Sequence, residues 1–121
     1  MKEEVKRWWD SAKDDLRKAK DNFKINNYDL TSFLCQQAVE KALKAILINE
    51  TNTFPKVHDI VRLGRLVKIE PDLLKECEKL NYVYTETRYP DTGNRKFTRE
   101  EAEEDIERTK RILKCAEKRL S

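Results

Sequence analysis

Apolar residues return every three or four positions along most of the chain, and each stretch of that pattern predicts a helix. In the first, residues 2–24, Val5, Trp8, Trp9, Ala12, Leu16, Ala19 and Phe23 share one face. Lys13, Asp14, Lys18 and Asp21 take the other, with Asp14 and Lys18 placed as a favourable i,i+4 pair. Asn26-Asn27 breaks the pattern. The second stretch, 28–49, is apolar most of the way round: Leu30, Phe33, Leu34, Cys35, Ala38, Val39, Ala42, Leu43 and Ala45 to Ile48. Asn27 or Asp29 is placed to cap its start. Gln36, Gln37, Glu40, Lys41 and Lys44 leave it only a narrow polar edge. Such a helix belongs in the middle of a bundle or in a subunit interface.

After a loop at 51–55, a short helix is predicted over 57–68, with Ile60, Val61, Leu63, Leu66 and Val67 apolar. A fourth begins at Glu70-Pro71, proline suiting a first helical turn, and fades near Tyr84. Residues 85–96 read as a second loop, with Asp91-Thr92-Gly93-Asn94 as a turn signal. The last helix starts at Thr98, where Thr98-Arg99-Glu100-Glu101 forms a capping box. Its acids, Glu100 to Glu107, come first and its bases, Arg108 to Arg119, last, which complements the helix dipole at both ends. Glu104–Arg108 and Glu107–Arg111 are spaced as ion pairs. The expected fold is all-α: one antiparallel helical bundle of four to five helices over residues 1–121.

Composition narrows the class of function. The chain has 121 residues, 40% of them charged, and a net charge of only +3. Interleaved lysine and glutamate resemble the ion-pair surfaces of thermophile proteins and give little sign of a nucleic-acid stripe. Two glycines and three prolines disfavour a β-sandwich or barrel. The longest aliphatic run, Ala45 to Ile48, is far too short to span a bilayer, and a charged N-terminus argues against a signal peptide. A cytoplasmic location is expected. Cys35, Cys77 and Cys115 are odd in number and widely spaced, which argues against a metal or redox pair, and buried free thiols are expected at Cys35 and Cys115, which sit in helical patterns. The single histidine, His58, cannot build a multi-histidine metal site. No phosphate loop, zinc-protease motif or nucleophile elbow occurs. No metal or cofactor is expected.

Phe33-Leu34-Cys35-Gln36-Gln37-Ala38-Val39-Glu40-Lys41-Ala42-Leu43-Lys44-Ala45 resembles the Q-Q-A-x-E-K-x-L-K-A signature of HEPN-domain proteins. His58-Asp59-Ile60 matches the family's histidine–acid–hydrophobic step, and Arg88-Tyr89-Pro90-Asp91 matches an Arg-Tyr-Pro stretch of its short members. The resemblance implies a helical bundle like the helical domain of some nucleotidyltransferases, commonly a homodimer. It also implies a complex with a minimal nucleotidyltransferase, in some cases as a toxin–antitoxin pair. Many members are metal-independent ribonucleases with an R-x4–6-H motif near the last helices. Here no histidine follows Arg88, and no arginine stands four to six residues before His58. Acid–base cleavage of RNA needs a group titrating near neutrality, and none stands at the family position.

The leading expectation is therefore a non-catalytic partner protein, with no catalytic residue assigned. The alternatives are a divergent ribonuclease or toxin, and a stand-alone nucleotide- or RNA-binding module. Arg88 offers phosphate a bidentate fork, and Tyr82 and Tyr89 could stack a base. With Asp91, Lys41 and His58 they form the candidate nucleotide site. The structural alternative for Arg88 is pairing with Asp91 or capping a helix end. For His58-Asp59 it is a helix cap with His58 bonded to backbone, and for Glu40 and Lys41 it is pairing between helices. Trp8, Trp9 and Phe33 are the candidate interface residues; adjacent tryptophans point about 100° apart on a helix, so one is expected in the core.

Overall fold

A computed structural model describes residues 1–54, 56–88 and 97–121; the side chains of residues 82–88 lie outside that description. The described residues form five helices: α1 (Glu3–Lys24), α2 (Tyr28–Thr51), α3 (Ile60–Leu66), α4 (Pro71–Arg88) and α5 (Arg99–Leu120). The all-helical bundle expected from the periodicity is the fold. α2 touches each of the other four helices, and α1 and α5 also touch one another. From Cys35 to Ile48 only Gln37 and Lys41 escape burial. The apolar breadth of α2 is thus accounted for within a single chain, and it no longer argues for a second subunit. Even the expected polar edge is mostly covered: Gln36, Glu40 and Lys44 are buried.

The helix ends follow local chemistry. Asp59 caps α3, its carboxylate accepting from the amides of Val61 at 2.9 Å and Arg62 at 3.3 Å. This starts α3 at Ile60, three residues later than the apolar pattern alone suggested. Thr98 accepts from the Glu101 amide at 3.1 Å, as the capping box requires. α4 runs on to Arg88, past the expected end near Tyr84. Asn27 occupies the N-cap of α2 without a side-chain bond, and Asp29 instead accepts from the amide of Leu30.

α1 and α3 both end in Schellman motifs. In α1, Asn27 N–H reaches the Asn22 carbonyl and Asn26 N–H reaches Phe23. In α3, Ile69 N–H reaches the Gly64 carbonyl and Lys68 N–H reaches Arg65. The residue at the left-handed position is Asn26 in the first and Lys68, φ 56°, in the second. α3 and α4 come close at Gly64, where a Cβ would stand 3.1 Å from both Ile69 Cδ1 and Leu74 Cδ1. At the far end of α2, Lys2 donates to Asn52, and Arg119 clamps Glu50 with a 2.6 Å bond while donating to the Val67 carbonyl.

Candidate functional site

The polar residues of α2 define the site. Ser32, Gln36, Glu40 and Lys44 recur every four residues, so they lie along one line of the helix. All four are buried. Buried polar atoms are normally paired. Ser32 faces the Asp105 carboxyl of α5, whereas Gln36 Nε2 and Glu40 Oε1 have no hydrogen-bond partner among the described residues. Two unpaired polar atoms one turn apart give α2 spare hydrogen-bonding capacity inside the bundle.

The Lys44 end of that line holds charge. Lys44 Nζ lies 2.9 Å from Glu40 Oε2, and the side chains are 4% and 8% exposed. The ammonium also lies over the Trp8 ring, 5.3 Å from its centroid, a favourable cation–π position. Trp8 packs against Phe54 with ring centroids 5.4 Å apart. His58 closes the cluster from the loop before α3. Its Nδ1 stands 3.2 Å from the same Glu40 Oε2, while the ring is 69% exposed. A carboxylate on one ring nitrogen orients an imidazole and leaves the rest of the ring open to solvent.

His58 is thus held by a side chain eighteen residues earlier, not by backbone. Lys41 belongs elsewhere. Its ammonium reaches Asp15 Oδ2 and Ser11 Oγ, both at 2.8 Å, and ties α2 to α1. The structure therefore does not bring Lys41 and His58 to a common point; it joins His58 to Glu40, Lys44 and Trp8. Tyr89 and Asp91, and the side chains of Tyr82 and Arg88, lie outside the described residues. Of the candidate interface residues, Trp9 is corrected to the core at 6% exposure. Trp8 and Phe33 are half-buried.

Lys44 was not singled out from the sequence, and Glu40 was read there only for pairing between helices; the structure pairs the two within α2. Their signal was the spacing of two opposite charges one turn apart inside an otherwise apolar helix.

A second polar centre lies between α4 and α5. Arg108 contacts three carboxylates: Asp105 at 2.8 Å, Glu76 at 3.0 Å and Glu104 at 3.1 Å. Burial pushes the Asp105 carboxyl above its ordinary 3.8, with Ser32 and Arg108 pulling the other way. Arg111 reaches across to Glu76 at 3.3 Å rather than along α5 to Glu107, which pairs with Lys110 instead. Neither centre offers a nucleophilic thiol. Burial pushes both Cys35 and Cys77 up to about 12, so neither is a thiolate at neutral pH. The expected burial holds for Cys35, whereas Cys115 is only partly buried.

Among the described residues no three histidine, cysteine, aspartate or glutamate side chains gather as a metal site. No described helix is long and apolar enough to cross a membrane.

The sequence profile of the HEPN domain matches residues 5–119, from the start of α1 to the end of α5. The chain belongs to the HEPN-domain family. Solved structures agree. TT1696 from Thermus thermophilus superposes with a TM-score of 0.88 at 30% identity, covering 96% of this chain and 98% of the other. ST0689, an archaeal HEPN homologue, superposes with a TM-score of 0.84 at 31% identity, covering all of both chains. No curated protein matches the sequence. In this HEPN domain the signature stretch supplies the buried Glu40–Lys44 pair, and the histidine–acid step supplies both the Glu40 partner, His58, and the α3 cap, Asp59.

Proposed function

We propose that this HEPN-domain protein is a non-catalytic homodimer that partners a minimal nucleotidyltransferase and presents a nucleotide to it. The reading rests on family membership together with one observation: the only histidine is tied to a buried Glu40–Lys44 pair beside α3, and none follows Arg88. The partner supplies the chemistry. This chain supplies His58 and the Trp8–Phe54 aromatic pair, backed by the buried Glu40–Lys44 pair, with Arg88, Tyr89 and Asp91 as the residues that contact phosphate and base. An aromatic face is worth about 1–3 kcal/mol to a stacked base.

The test is affinity capture of the tagged protein from its own cells, followed by mass spectrometry and light scattering. A stoichiometric nucleotidyltransferase bound to a dimer of this chain is expected. A homodimer or monomer that carries no such enzyme overturns the partner reading. Nucleotide binding is read separately by thermal shift, which grows as RT ln(1 + [L]/Kd). No shift at millimolar ATP removes the nucleotide from the proposal.

A divergent ribonuclease is the second reading, favoured by the orientation of His58 on a buried carboxylate. An imidazole so held can accept or deliver a proton. It requires RNA cleavage without metal that is lost in His58→Ala. Cleavage that survives the substitution does not come from this site.

A further inference from the structure

The outward face of α5 changes sign at its middle. Each helical residue turns by about 100°, and the side chains within about 40° of one outward line are three acids followed by three bases. They are Glu100, Glu104 and Glu107, then Arg111, Lys114 and Lys118, and all are exposed. Each half borders a groove between α5 and α4. The acidic half lines one of about 660 Å³ with Glu76 of α4. The basic half lines one of about 440 Å³, where Lys68 adds a cation and Leu73 and Cys115 add apolar surface. Arg111 borders both, so the two grooves adjoin.

The helix dipole accounts only for the ends of this order, because its effect falls away within the first and last turns. Glu104, Glu107, Arg111 and Lys114 lie farther in. Pairing within the chain does not exhaust the stripe either. Arg111 turns to Glu76 rather than to Glu107, and Glu104 and Glu107 remain exposed in their contacts with Arg108 and Lys110. Glu100, Lys114 and Lys118 have no ion-pair partner among the described residues.

The order is antisymmetric about the level of Thr109. A second copy turned end for end at that level sets Glu107 opposite Arg111, Glu104 opposite Lys114 and Glu100 opposite Lys118. The two-fold axis repeats each pair. Every step of the stripe, along about 27 Å of helix, then faces the opposite charge. A parallel arrangement in register would set acid on acid and base on base.

We propose that two copies of this chain pair through α5, antiparallel and level at Thr109, each α5 lying along the α4–α5 seam of the other. The surface is that of the homodimer proposed above, and its assignment rests on that reading. Trp8 and Phe33, on α1 and α2, take no part in it. An interface built on exposed ion pairs is weak and is screened by salt.

Sedimentation velocity at about 50 mM salt tests it with two charge-reversed variants. Glu100→Lys/Glu104→Lys and Lys114→Glu/Lys118→Glu each set like charges opposite one another in a self-pair. Each alone is expected to weaken self-association by about tenfold or more. Mixed in equal amounts, the two restore opposite charges at every level, and a heterodimer is expected. The parent dimer is expected to dissociate at about 1 M salt. Thermal melts establish that each variant is folded, and the single changes Glu104→Lys and Lys114→Glu carry the same test if a double variant is not.

Folded variants that each remain as dimeric as the parent overturn this surface and leave the homodimer itself standing. Folded variants that stay monomeric after mixing overturn the antiparallel register. A parent chain that is monomeric at low salt removes the homodimer together with its surface.

Discussion

Lys44 ion-pairs with Glu40 one turn earlier on α2 at 2.9 Å, and the pair is almost dry. Removing two charges from water costs several kcal/mol per ion, and mutual attraction returns that cost only when the pair is intact. Glu40 also carries His58 on the same oxygen and leaves its second oxygen unpartnered. Lys44→Met is therefore expected to destabilise by about 3–5 kcal/mol, because it strands a buried carboxylate. The double change Glu40→Leu/Lys44→Met is expected to restore most of that loss. Urea melts of the two variants decide it. A double variant no more stable than the single one would show that the pair itself, rather than the stranded charge, carries the stability.

Asp105 makes stability depend on pH. Its folded-state carboxyl lies above the ordinary 3.8 because burial opposes its charge. The native state therefore binds more protons than the unfolded state between 3.8 and the raised value. Stability from this group is greatest below that window, and it declines as pH rises through it. Asp105→Asn keeps an acceptor for Arg108 and removes the titration. The variant should gain on the parent as pH goes from about 4 to about 7, measured by chemical denaturation at both values. A difference independent of pH would contradict this account.

Lys68 occupies a backbone region that costs an L-residue about 1 kcal/mol. Lys68→Gly is expected to raise stability by about that amount, since glycine enters the region without penalty. Differential scanning calorimetry of the two proteins reads it, and an unchanged or lowered melting temperature would contradict the backbone account.

Gly64 on α3 packs against Ile69 and against Leu74 of α4. Gly64→Ala gains helix propensity but drives a methyl to 3.1 Å from the side chains of Ile69 and Leu74. Overpacking of this kind costs about 1–3 kcal/mol, which outweighs a propensity gain of about 1 kcal/mol. A net loss of stability is expected. A gain would mean that the Ile69 and Leu74 side chains move aside freely.

The thiols should separate in reactivity. Cys35 and Cys77, buried and pushed up to about 12, are expected to resist a thiol reagent until the chain unfolds. Cys115 is only partly buried and should react first in the native protein. One equivalent of rapid colour release, followed by two on adding denaturant, is the expected trace.

The helices were legible because apolar spacing is what burial selects. Val5, Ala12 and Ala19 on the apolar face of α1, and Cys35, Ala38, Val39, Ala42 and Leu43 on α2, are buried as their spacing required. The caps at Asp59 and Thr98 were legible too, since their bonds span two or three residues. What periodicity could not reveal was long-range pairing. Glu40 and Lys44 read as a polar edge because the pattern ranks residues by polarity, whereas the fold buries that edge beneath Trp8. The contact of His58 with Glu40, and that of Arg111 with Glu76 rather than Glu107, depend on how helices stack. Spacing along one helix carries no record of that.

The Lys2–Asn52 and Arg119–Glu50 contacts both sit at the last turn of α2. The first turn of α1 and the last turn of α5 are therefore neighbours, and peptide joined to either emerges from the same pole of the bundle. A short bridge from Ser121 to Met1 would close the chain into a ring, allowing new ends to be cut at the Asn26–Asn27 turn with the packing around α2 retained.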